Sequence, residues 1–137
     1  MTRTLAAVAL LVRDYDEAID YYTRALRFRL VEDTPLGAAK RWVVVAPGGG
    51  GGAHLLLARA ATDDQAASVG KQSGGRVFLF LHTTDFQGDY DHMLSQNVNF
   101  TETPRQESYG RVVVFQDLYG NKWDLIDATA IPQTDGR

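Results

Sequence analysis

The chain has 137 residues, 45% hydrophobic and 23% charged, the make-up of one folded domain able to bury a core rather than of a disordered segment. A formal charge of −3 and the absence of cysteine exclude the basic footprint of a nucleic-acid binder, disulfides, thiolate metal sites and cysteine nucleophiles. The apolar run from Leu5 to Val12 is too short for a membrane span, and the acidic residues after it suit no signal peptide. We expect a cytoplasmic protein without a membrane or nucleic-acid partner.

In chain order, Leu5–Val12 reads as a buried strand. Asp14 then offers a helix N-cap, with Glu17 completing a capping box. Ala18, Tyr21, Tyr22, Ala25 and Leu26 recur at helical spacing and define one apolar face. Strands are expected near Phe28–Asp33, Lys40–Ala46 and His54–Ala58. The glycine run 48–52 lacks the Lys-Ser/Thr ending of a phosphate-binding loop, so it reads as a hairpin connection. Residues 60–75 form a polar linker. A second strand, "GRVFLFLH", leads to Asp85 as the next cap and to a helix with Phe86, Tyr90, Met93 and Leu94 on one side. Strands near Val98–Thr101, Arg111–Phe115 and Lys122–Ile126 follow. Gly120, in the turn "DLYGN", is expected to take a positive φ. Residues 129–137 read as a frayed tail.

The chain is written twice. "RWVVVAP" at 41 resembles "RVVVFQD" at 111, "HLLL" at 54 lies over "DLID" at 124, and "FRLVED" at 28 lies over "VNFTET" at 98, always with the same offset. "VRDYDEA" at 12 matches "TTDFQGD" at 83 with one extra residue. Each half reads β-α-β-β-β, so the fold class is α+β. One domain, 1–128, is expected to consist of two modules, about 5–59 and 76–127.

A duplicated βαβββ module resembles the vicinal oxygen chelate superfamily, which includes glyoxalase I, the bleomycin- and fosfomycin-resistance proteins and extradiol dioxygenases. "VALLVRDYDEAIDYYTRAL" and "VVVFQDLYGNKWDLI" carry the likeness. The resemblance implies a curved, mixed eight-stranded sheet around a cup, and a homodimer. It also implies a divalent metal (Mn, Fe, Ni, Zn or Mg) held by one donor from the first and last strand of each module, with open positions for a substrate's vicinal oxygens. Carried over, the last-strand positions are His54 and Asp124, both legitimate ligands. The first-strand positions are Ala7 and Phe78, or Val77 if the extra residue falls elsewhere, none of which can bind a metal. The closing turn also departs from the dioxygenase pattern, with Leu118 for proline and Asp124 for glutamate.

His54 therefore reads either as a metal ligand or as a residue lining the cup or holding a strand start. Alternation from Phe78 places Phe80 and His82 on one face, His82 about 13 Å along the strand. His92 reads as a surface residue of the second helix. Arg41 and Arg111 open equivalent strands and could grip a ligand carboxylate or phosphate if they point inward. Glu107 and Tyr109, in the loop "PRQESYG", are the candidate acid–base groups. Trp42, Trp123, Phe78 and Phe80 serve either as aromatic walls for a flat ligand or as core. The acidic set Asp14, Asp16, Glu17 and Asp20 lacks the glycine of a calcium loop and suits a first helical turn. Three functions remain open. One is a small-molecule binder like the antibiotic-sequestering members, with a degenerate metal site and with His54, Phe78, Phe80, Arg111 and Asp124 contacting the ligand. Another is a metal-dependent lyase or dioxygenase anchored on His54 and Asp124. A metal-free isomerase or lyase using loop acid–base groups such as Glu107 or Tyr109 is a third.

Overall fold

Asp14 starts the first helix as its spacing predicts: its carboxylate accepts from the Glu17 amide at 2.8 Å. Its repeat counterpart Asp85 accepts from the Gly88 amide at 3.1 Å. The two helices also end alike. Arg27 and Asn97 take left-handed φ values of 59° and 62°, so Phe28 N donates back to Tyr22 O at 2.8 Å and Val98 N to Met93 O at 3.0 Å. Asparagine tolerates that conformation, whereas arginine adopts it at a cost.

The structure is a computed structural model, and it describes residues 1–130. The chain divides into two compact units, residues 1–72 and residue 73 onward. The first contains β1 (Ala7–Val12), α1 (Tyr15–Asp20), β2 (Arg29–Pro35), β3 (Arg41–Ala46), β4 (His54–Arg59) and α2 (Asp63–Ser68). A π-helical turn, Tyr21–Ala25, continues α1. Its sheet runs β1-β4-β3-β2, with β1 parallel to β4 and the remaining pairs antiparallel. The second unit contains β5 (Val77–Thr83), α3 (Phe86–Ser95), β6 (Asn99–Phe100), β7 (Arg105–Glu107), β8 (Gly110–Gln116) and β9 (Lys122–Asp127). Its sheet runs β5-β9-β8-β6, with β7 also on β8 and β5 parallel to β9. The α+β class and the repeated βαβββ order thus hold. The sheets have four and five strands rather than eight in all, because the expected loop "PRQESYG" contains β7.

Strand alternation assigns the two faces of each sheet. In the first unit Leu10, Val12, Val43, Val45, Leu55 and Leu57 are buried, on the side where α1 packs against β3 and β4. All five residues of the helical apolar face are buried as well. Each such aliphatic or aromatic side chain contributes about 1.5–3 kcal/mol on leaving water. In the second unit Val113, Phe115, Trp123 and Leu125 face α3 with Phe86 and Met93, whereas Leu94 stays 48% exposed.

The segment 60–75, expected as a linker, carries α2, which Thr62 caps through the Gln65 amide at 3.1 Å. Beyond it, Gln72 serves the edge of β1: its side-chain oxygen accepts from Leu11 N at 2.7 Å and its amide donates to Ala9 O at 3.1 Å. That covers part of an otherwise open edge. In the turn before β9, Gly120 has φ +98°, with no atom near a prospective Cβ, so conformation rather than space requires glycine. Of the expected tail 129–137, the first two residues belong to a 3₁₀ turn, Ala128–Ala130, and 131–137 lie outside the described residues. No helix among the described residues is long and apolar enough to cross a membrane.

Candidate functional site

The faces away from the helices carry most of the residues singled out by the repeat. In the first unit His54 is in phase with Leu56 and Ala58, opposite the buried Leu55 and Leu57. It is half-buried, and its register partner on β1 is Ala7. Trp42 lies on that same face in phase with Val44 and is 42% exposed. A cleft of about 460 Å³ borders Trp42, Leu56, Ala58, Arg59 and Gln65.

In the second unit Asp124 is the residue whose surroundings are unusual. It alternates with the buried Trp123 and Leu125 and so points away from α3. Its register partners are Phe80 on β5 and Val114 on β8. Asp124 is 8% exposed, and its Oδ1 has no hydrogen-bond partner. Burial chiefly raises its pKa above the usual carboxylate range; the Arg105 charge pulls it down and the Glu102 charge pushes it up. Phe80, beside it, is 61% exposed.

Glu102 and Arg105 were missed by sequence reasoning. Arg105 donates to Glu102 at 3.1 and 3.3 Å and to Glu107 at 2.6 Å, and Tyr109 shares a hydrogen bond with it. Glu102 Oε2 also accepts from Val114 N at 3.0 Å. Arg105 pairs with Val112 in register, on the face of Val114 and Asp124. The candidate acid–base groups Glu107 and Tyr109 are thus tied to a guanidinium near Asp124. The spacing Glu102, Arg105, Glu107 was the available signal, since strand alternation places Arg105 and Glu107 on one face.

Other expectations resolve differently. Phe80, not the repeat position Phe78, pairs with Asp124; a register shift between Val77 and Leu79 brings Phe80 there in place of Leu79. Phe78 is half-buried at that irregularity. His82 is exposed and in phase with Phe80, paired to Ile126. His92, expected at the surface, is half-buried in the last turn of α3. Arg111 turns to the helix side: its guanidinium lies 4.4 Å from the Phe86 ring centroid and donates to Gln87 at 3.1 Å. Arg41, its repeat counterpart, lies 5.2 Å from the Tyr15 centroid and pairs with Asp33 and Asp16 at 2.7 and 2.9 Å. Both arginines are in phase with buried valines of their strands and brace the helix starts, and Arg41 also lines the cleft beside Trp42. Trp123 is core, stacked on Phe115 at 5.8 Å.

A divalent metal of the kind implied by the resemblance needs three or four donors. The residues present do not fit it. Beside His54 stands Ala7, beside Asp124 stands Phe80, and the carboxylates around Asp124 already hold the Arg105 cation. Among the described residues no group of three or more His, Asp or Glu gathers for a metal.

The raised Asp124 pKa makes a stability prediction. The folded state keeps this proton to higher pH than the unfolded chain, whose reference value is 3.8. Stability is therefore lost as pH rises from about that value through the raised one. Asp124→Asn is expected to be more stable than wild type by roughly 1 kcal/mol at neutral pH. The gain should disappear below about pH 4. Urea unfolding across that range measures it, and a variant less stable at every pH contradicts the assignment.

Comparison with known proteins agrees with this architecture. A family model described as Glyoxalase/Bleomycin resistance protein/Dioxygenase superfamily matches residues 4–125. An uncharacterized protein of Shewanella frigidimarina (strain NCIMB 400) is 51% identical over 92% of this chain and 94% of its own. The crystal structure of UcmS2 superposes with a TM-score of 0.79 at 26% identity, covering 93% of this chain and 99% of that one. TnmS3, described as an antibiotic binding protein from Streptomyces sp. CB03234, gives a TM-score of 0.72 at 26% identity, covering 93% and 96%.

Proposed function

Since the chain belongs to the Glyoxalase/Bleomycin resistance protein/Dioxygenase superfamily, we propose that it binds a small planar organic molecule and sequesters it without chemical change. The observation that carries this reading is the exposed aromatic surface on the helix-free faces. Phe80 is 61% and Trp42 42% exposed, where rings of that size are ordinarily covered. Phe80 stands beside the unsatisfied Asp124 oxygen, giving a stacking platform next to a polar anchor. The description of TnmS3 as an antibiotic binding protein supports the same class of ligand. The ligand residues of this reading are Phe80 and Asp124 in the second unit; in the first unit, taken by itself, His54 and Trp42 line the helix-free face. Arg111 is not among them.

The test is titration with planar probes of three charges: neutral acridone, anionic anthraquinone-2-sulfonate and cationic proflavine, each followed by calorimetry. At least one is expected to bind in the micromolar range or tighter, on the order of −8 kcal/mol, with binding lost in Phe80→Ala and insensitive to added Mn, Ni or Zn. Absence of binding by all three removes the reading, and binding that requires a metal restores the metalloenzyme. A homodimer belongs to the same proposal, because β2 is an edge strand whose 7 residues are all exposed. Sedimentation velocity on the same samples reads it.

A further inference from the structure

We propose that Asp124 selects ligands that carry a cationic nitrogen, a protonated amine or amidinium attached to the ring that lies on Phe80; this rests on the binding reading above. The starting point is an oxygen without a partner in a carboxylate that is nine-tenths buried. A buried polar atom is normally satisfied by protein or water, and one left without a partner beside an exposed ring calls for a donor from outside.

The neighbouring charges decide what kind of donor. The Arg105 charge acts on this carboxylate, but its contacts go to Glu102 and Glu107. Two carboxylates thus share one guanidinium, and Asp124 adds a third acid. Lys122 sits two residues earlier on the same face of β9 and returns one positive charge. His82 stands two residues beyond Phe80 on the same face of β5, and Tyr109 is bonded to Arg105. With all three acids ionised and both cations counted, the cluster keeps an excess negative charge.

An incoming cation balances that excess and donates to Asp124 Oδ1 in one step, forming a charge-assisted bond at a site removed from water. A neutral donor satisfies the oxygen but leaves the charge, and an anion is repelled. The Phe80 ring adds to the preference, because an aromatic face attracts a cation or the planar system bearing it. Adjacent strands lie about 4.8 Å apart, so one ligand of two or three fused rings reaches both positions.

The three probes separate this inference from the reading beneath it. Proflavine is expected to bind more tightly than acridone, and anthraquinone-2-sulfonate most weakly. Asp124→Asn keeps the shape and removes the charge; it should weaken proflavine about tenfold or more, the worth of one hydrogen bond to a charged group, and weaken acridone several-fold less. Thermal melts of the variant confirm that it is folded. Equal weakening of proflavine and acridone in Asp124→Asn, or a wild-type preference for the sulfonate, overturns the inference while ligand binding stands. Failure of all three to bind overturns both.

Discussion

Asp117→Ala is expected to destabilise the protein by about 3 kcal/mol, lowering the thermal midpoint by roughly 10 °C. Asp117 is 5% exposed and uses both oxygens. Oδ1 accepts from the amides of Tyr119 and Asn121, each at 3.0 Å. Oδ2 accepts from the Asn121 side chain at 2.9 Å and from Trp123 Nε1 at 3.4 Å. One carboxylate therefore closes the turn at Gly120 and holds the entry to β9, the strand that carries Asp124. Alanine strands several buried donors at once, and the cost of an unmade bond exceeds the gain from a made one. Asp117→Asn keeps an acceptor for the two backbone amides but gives up acceptance at the second oxygen, so an intermediate loss is expected. A midpoint for Asp117→Ala within about 2 °C of wild type contradicts this account.

The same turn shows what could be read from the sequence. Gly120 and the capping aspartates are legible because local chemistry alone fixes them: a positive φ, or a carboxylate beside free helix amides. The repeat is legible because equivalent strands keep equivalent patterns. Register is not. The irregularity between Val77 and Leu79 brings Phe80 rather than Leu79 beside Asp124, the repeat alone points to Phe78, and no residue in "GRVFLFLH" marks a bulge. The strand Arg105–Glu107 was read as loop because all three of its residues are polar. Its partner β8 supplies the pairing, so the element depends on a long-range contact rather than on its own pattern. The polar group around Asp124 is hidden with it. The arginines were different: Arg41 and Arg111 are in phase with the buried Val43 and Val113, and alternation alone puts them on the helix side.

Repeat symmetry also governs how the two cores are filled, and Phe115→Ala tests it with an expected loss of about 4 kcal/mol. Phe115 is 0% exposed, stacked on Trp123 and set edge-on to Phe100 at 6.0 Å. Its repeat counterpart in β3 is Val45, also 0% exposed. On the helices the sizes are reversed: Tyr22, 0% exposed, corresponds to Met93 at 2%. The first unit takes its large ring from the helix and a small residue from the sheet, and the second does the opposite. Interiors packed to crystal-like density tolerate such an exchange when total volume is kept. Phe115→Val alone is therefore expected to cost about 2 kcal/mol. Adding Met93→Phe should return about 1 kcal/mol of it, a coupling measurable by a double-mutant cycle in urea. If Met93→Phe is as damaging beside valine as beside phenylalanine, the two positions do not share one volume, and the second unit's core is set by its stacked rings alone.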